Sequence, residues 1–186
     1  MNETVKTLLS RRSTRRYKQE QIKDEELNTL LNAGMFAPSA MNQQSWYFTV
    51  VQNKELLNKI NEVCKSIFLK SGNKTFEERA KSESFNLFYN APTLIIVSGY
   101  QKAIAPQIDC AVALENMFLA AESMDIGSCW IHAITSFSNT EEGTALLKEL
   151  SIPEGYSVFG SGAFGYKVSG PDNISPRKEN IVNIIK

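Results

Sequence analysis

The stretch Asp109–Gly127, DCAVALENMFLAAESMDIG, reads as a helix that is apolar on nearly every side. A helix of that kind usually belongs at the centre of a core or in a large subunit interface, not on a surface with one wet face. The rest of the chain has to be arranged around it. At 186 residues there is about enough for one domain, and 42% hydrophobic content suits a globular core.

Other elements follow from spacing. Val5, Leu8 and Leu9 predict a short N-terminal helix. Asp24 is a capping candidate, Glu25 and Glu26 suit a first turn, and Leu27, Leu30 and Leu31 form a stripe that Pro38 ends. WYFTVV, Trp46 to Val51, is a strand by its aromatic and β-branched content. A helix from Asn53 buries Leu56, Leu57, Ile60, Val63, Cys64 and Ile67. Residues 70–84 are polar and weakly patterned, a mobile connector or marginal helix that could cover a site. Thr93–Ser98 reads as a buried strand, SCWIHAI as a short strand or turn, EEGTALLKEL as a helix and YSVFGSGAFGY as a glycine-broken strand. Five helices interleaved with about four strands indicate one α+β domain spanning 1–186, with no repeat or linker. The tail, about 171–186, ends in Ile181, Val182, Ile184 and Ile185, and is expected to pack on a second subunit.

Twenty basic and twenty acidic residues cancel, so neither a nucleic-acid surface nor a membrane surface is expected. The N-terminus lacks a signal pattern, no apolar run approaches a membrane span, and the cytoplasm is the default location. Cys64, Cys110 and Cys129 lack the spacing of a zinc site or disulfide framework and read as buried hydrophobes.

No conventional catalytic constellation is present. His132 is the lone histidine, which excludes a histidine metal pair. Gly160, Gly162 and Gly165 fit a dinucleotide fingerprint only loosely, and read better as glycines easing a strand past a neighbouring backbone. Polar chemistry gathers in three places. RRSTRRY crowds Arg11, Arg12, Arg15 and Arg16 around Ser13, a repulsive grouping unless an anion sits against it. APSAMNQQSW offers Ser39, Asn42, Gln43 and Gln44 beside Trp46, donors and acceptors suited to a heteroaromatic edge. PRK, Pro176 to Lys178, adds two late cations.

RRSTRRY, APSAMNQQSWYFTVV, APTLIIV, the apolar helix, GSCWI and PRKENIV, in that order, resemble the nitroreductase family of flavoproteins over nearly the whole chain. The resemblance implies a three-layer α+β sandwich, a mostly antiparallel sheet flanked by helices, in an intertwined homodimer. It also implies one FMN at each subunit interface. NADH or NADPH would reduce it, and a nitroaromatic, quinone or related small-molecule acceptor would then be reduced in ping-pong fashion. By the same resemblance, Arg11 and Arg15 meet the FMN phosphate and the pyrimidine side of the ring. Arg12 and Ser13 assist on the phosphate and ribityl chain, and Arg177 closes on the phosphate. Pro38, Ser39, Ala40 and Asn42, with Gln44 nearby, come from the other subunit, and the backbone of Trp130, Ile131 and His132 passes beside the ring. No catalytic acid, base or metal is implied, and Arg16 reads as a surface charge.

Departures from the family pattern are Ser45 and Val168, where proline is common, and His132, where a small residue is common. They bear on substrate class more than on the flavin. Two other readings compete: a flavin-binding carrier or sensor with little turnover, and a basic-turn module that binds an acidic partner.

Overall fold

In the computed structural model, residues 1–169 and 176–186 are described; residues 171–175, the start of the tail read as packing on a partner, lie outside them. The α-helices are α1 (Glu3–Ser10), α2 (Asp24–Met35), α3 (Lys54–Leu69), α4 (Lys74–Lys81), α5 (Pro106–Ser123) and α6 (Glu141–Glu149). Two short 3-10 segments, Ala40–Asn42 and Ala133–Asn139, accompany them. The strands are β1 (Trp46–Val51), β2 (Thr93–Tyr100), β3 (Ile126–Trp130) and β4 (Tyr156–Tyr166). They form one antiparallel sheet of order β1-β2-β4-β3. The α+β expectation holds, with one α-helix more than the sequence suggested.

The sheet is covered on both faces. Along β2, Ile95 and Val97 point toward α2 and α5, where they meet Leu30, Cys110, Leu114, Met117 and Phe118. Leu94 and Ile96 point the other way, into a cluster with Leu57, Ile60, Cys64, Ile134, Phe137 and Leu146. Strands buried on both faces read as continuous apolar runs, which is why TLIIV shows no alternation. The apolar helix lies across the sheet as α5, and its packed face is Cys110, Ala113, Leu114, Met117, Phe118 and Ala121. Its opposite side is only half covered, and Ile108 there is exposed.

Local differences from the sequence reading have simple causes. Lys23, not Asp24, occupies the cap of α2; Glu26 reaches back to accept from the Lys23 amide at 2.8 Å. Part of the weakly patterned 70–84 stretch is helical, because Asn73 accepts from the Thr75 and Phe76 amides and Phe76 stacks on Phe68 at 4.8 Å. SCWIHAI divides into β3 and the start of the second 3-10 segment. The three glycines of GSGAFG lie within β4, and what crowds them is side chains: a Cβ at Gly160 would come within 2.7 Å of the Trp130 ring. The cysteines are free and buried, and burial pushes the Cys64 and Cys110 thiols up to about 12.

Because Leu114 sits fully buried between α5 and the sheet, Leu114→Ala should destabilise the protein by about 2–5 kcal/mol in chemical denaturation. A loss below about 1 kcal/mol would mean that α5 is not the central packing element.

Candidate functional site

The arginine segment is bound to the sheet by its backbone and two buried side chains. Ser13 forms a parallel bridge with Ser128 of β3, and the Thr14 amide donates to the Ser128 carbonyl at 2.8 Å. Farther on, the Lys18 amide donates to Tyr166 at 2.9 Å. Thr14 and Tyr17 are buried, and the Tyr17 hydroxyl donates to the Thr14 carbonyl at 2.7 Å, closing a tight turn. With Thr14 and Tyr17 so buried, Arg11, Arg12 and Ser13 stay half-buried and Arg15 and Arg16 are exposed.

Each guanidinium has a distinct setting. Arg11 lies over the Phe118 ring at 6.0 Å and has Glu115 at 3.6 Å, a contact long enough to leave donors for another anion. Arg12 turns inward: one of its terminal nitrogens donates to the Leu9 and Arg11 carbonyls, each at 2.7 Å, serving the end of α1. Its Nε is buried with no partner. Arg15 lies over Tyr89 at 5.7 Å, and donation to the Tyr89 hydroxyl oxygen holds its guanidinium above the ordinary value. Burial raises the Cys129 thiol, partly offset by Arg15, Ser13, Arg11 and Arg79.

The edge of β3 continues the same surface. Trp130 is 38% exposed and stands edge-on to Phe118 at 6.2 Å. Ile131 is buried, and both its backbone groups are taken by Ser161: its amide donates at 2.8 Å and its carbonyl accepts the Ser161 hydroxyl at 2.7 Å. The exposed His132 opens the second 3-10 segment, its carbonyl accepting from Thr135. Half-exposed aromatic surface therefore adjoins the cation cluster.

Pro38, Ser39, Ala40, Asn42 and Gln44 form a separate group at the head of α5. Asp109, 2% exposed, anchors it: one carboxylate oxygen accepts from the Ala40 amide at 3.0 Å, the other from the Ser45 hydroxyl at 2.8 Å. The Gln44 amide donates to the Ser39 hydroxyl at 2.9 Å, and its side chain donates to Asn42 at 3.1 Å. Met41, Asn42 and Gln44 all adopt left-handed backbone, at φ 50, 54 and 47 degrees. Strain of that kind persists only where surroundings enforce it. Asp109 lies nine residues before Phe118, roughly 13 Å along the helix axis. The chain thus holds the arginine group and the amide group at different points along α5.

Arg177 is exposed on the tail, and among the described residues nothing joins it to the Arg11–Arg15 segment. No group of three or more His, Cys, Asp or Glu among the described residues could hold a metal, and no helix there is long and apolar enough to cross a membrane. Asp109, Tyr89 and Arg79 escaped the sequence reading. A lone acid opening an otherwise apolar helix was a usable sign for Asp109; Tyr89 and Arg79 join the site only through long-range packing.

The donor set suits a phosphate ester next to a flat ring. Two guanidinium forks and a serine hydroxyl on one rigid segment match phosphate oxygens, and Trp130 with Phe118 offers apolar cover.

The description "Nitroreductase family" matches residues 8–166. A protein of Archaeoglobus fulgidus with the provisional name NADH dehydrogenase/NAD(P)H nitroreductase is 34% identical over 166 residues, covering 89% of this chain and 86% of that protein. A Bacteroides fragilis nitroreductase crystallised with bound FMN superposes with TM-score 0.94 at 41% identity, covering 100% of both chains. A Desulfitobacterium hafniense nitroreductase, also with bound FMN, gives TM-score 0.90 at 29% identity, again over 100% of both.

Asp109→Ala should strand the Ala40 amide and the Ser45 hydroxyl. Hydrogen exchange is expected to speed up at least tenfold in residues 39–45 while residues 11–17 stay protected. Unchanged exchange in 39–45 would show that the loop does not depend on this carboxylate.

Proposed function

The chain belongs to the nitroreductase family of FMN-binding NAD(P)H oxidoreductases, and from that premise we propose that two copies enclose FMN at their interface and use NADH or NADPH to reduce a nitroaromatic, quinone or related small acceptor. The observation that carries this reading is the placement of Arg11, Ser13 and Arg15 on one segment bridged to Ser128 of β3, with Arg11 over the Phe118 ring that Trp130 meets edge-on. A phosphate monoester brings about −1.5 to −2 charges, which makes such a grouping favourable instead of repulsive. When bound, FMN supplies two-electron hydride transfer between a nicotinamide donor and an acceptor.

The chain's own part is placement. Arg11, Ser13 and Arg15 hold the phosphate and the pyrimidine side, and Arg177 closes on the phosphate from the tail. Arg12 contributes through the backbone turn it stabilises, since one of its terminal nitrogens is committed to the Leu9 and Arg11 carbonyls. Trp130, Ile131 and His132 line the ring edge; with both Ile131 backbone groups engaged, the Trp130 ring and the polar His132 are what this stretch offers. Pro38, Ser39, Ala40, Asn42 and Gln44 act on the other copy's ring, because within one protomer the Asp109 anchor keeps them apart from the arginines. Donor and acceptor use the same face in succession, so a separate nicotinamide fold is not needed and the reaction runs as a ping-pong exchange.

Association of two copies is supported by apolar surface left uncovered. Ile181, Val182, Ile184 and Ile185 of the tail are 71–90% exposed, as is much of Leu8, Leu9 and Ile108 beside α5. Patches of this extent usually mark an interface. The tail, about 171–186, therefore packs on the partner subunit in this reading.

The purified protein should be yellow or take up added FMN, and Arg11→Ala should weaken retention by about 1.5–3 kcal/mol, the worth of a charged hydrogen bond. A colourless protein that takes up no FMN would sink the reading, and bound FMN without NADH or NADPH oxidation in the presence of a quinone would favour a carrier. Removal of residues 176–186 is expected to shift sedimentation from dimer toward monomer; an unchanged dimer would release the tail from that role.

A further inference from the structure

Tyr89 is the most unusual residue outside the segments already assigned. A bulky side chain rarely adopts left-handed backbone, yet Tyr89 has φ 59 degrees and Asn90 follows at φ 57 degrees. Such a conformation persists where neighbours over-determine it, and it tends to mark a working position. The segment is held by Asn61, which is buried and accepts from the Leu87 amide at 2.8 Å, and by Asn86, which accepts from the Phe88 and Asn90 amides.

The result of that strain is a phenol ring presented to two cations. Arg15 lies over it at 5.7 Å and shares a hydrogen bond with it. Arg79 of α4 lies over the same ring at 6.0 Å, and over Phe85 at 6.0 Å. Phe85 in turn meets Phe68 edge-on at 5.9 Å, so Arg79 is seated on an aromatic platform continuous with the core. Among the described residues no carboxylate pairs with Arg79. Two guanidinium groups within about 6 Å of one ring centre, neither paired among the described residues with a carboxylate close enough to neutralise it, would gain from an anion beside them.

We propose that Arg79 and Arg15, which both lie over the Tyr89 ring, form a site for a phosphate ester, with Arg79 as an anion-binding residue brought in by α4. This rests on the functional reading above and extends it to a residue outside the motifs that suggested it. Guanidinium forks match phosphate geometry, and the shared ring presets both side chains before a ligand arrives. Two phosphates meet this description: that of FMN itself and the 2′-phosphate of NADPH.

The experiment compares wild type with Arg79→Gln, Arg79→Lys and Tyr89→Phe, using Lys81→Gln on the same helix as a charge control. Arg79 is exposed, and circular dichroism is expected to show that all four variants fold. Dissociation of FMN and of riboflavin is measured by flavin fluorescence on protein stripped of flavin, and KM for NADPH and NADH on the reloaded enzyme. Arg79→Gln should weaken FMN binding about tenfold while sparing riboflavin, if the cofactor's phosphate is the ligand. If the reductant's phosphate is the ligand, FMN binding is spared and KM rises about tenfold for NADPH but not for NADH. In either case Arg79→Lys should recover part of the loss, Tyr89→Phe should lose a smaller part, and Lys81→Gln should match wild type. Equal changes for FMN and riboflavin together with equal changes for NADPH and NADH would overturn the proposal, as would no change in any of them. Wild-type protein that takes up neither flavin would overturn the functional reading along with it.

Discussion

Burial of one face of α5 against the sheet is the constraint on which the rest of the structure depends. Cys110, Leu114, Met117 and Phe118 pack against strand residues from β2, β3 and β4. The same helix carries Asp109 at its head, Glu115 midway and Phe118 beyond it. Those three residues locate the amide loop and the arginine segment relative to each other. Helix geometry therefore sets the spacing of the two halves of the site, and packing keeps that helix from shifting.

A buried charge at one end of such a helix is costly unless fully satisfied. Asp109 meets that condition with a backbone amide and a hydroxyl, one on each oxygen. Ser45 supplies the hydroxyl. The neighbouring left-handed residues Met41, Asn42 and Gln44 are tolerable because this anchor and the Gln43–Ile104 bond hold both flanks.

Much of the fold was legible because burial writes periodic patterns. β1, β2 and α3 fall where the aromatic, β-branched and helical spacings placed them, whereas α5 runs Pro106–Ser123 and not Asp109–Gly127, because Ile126 and Gly127 pair with β4 as the start of β3. The 70–84 stretch was harder, since α4 owes its stability to the Asn73 cap and to Phe76 stacking on Phe68, and neither yields a long stripe. Among site residues, the crowding of Arg11, Ser13 and Arg15 was visible because like charges at short spacing demand an explanation. That Arg12 differs from its neighbours was not visible, as its inward turn depends on carbonyls left over at the end of α1. Arg79 and Tyr89 were beyond reach for a different reason: their meeting with Arg15 is made by chain segments that share no local pattern.

The bridge between Ser13 and Ser128 has a consequence of its own. β3 is an outer strand of the sheet, and an outer strand offers unpaired amides and carbonyls to any extended chain that passes. The arginine segment occupies that side of β3, with the Thr14 amide bonded to the Ser128 carbonyl. Four arginines along the blocking segment add charge that discourages strand addition. The same seven residues therefore serve as a guard against edge-to-edge aggregation, and whatever loosens them also uncovers an adhesive border of the sheet.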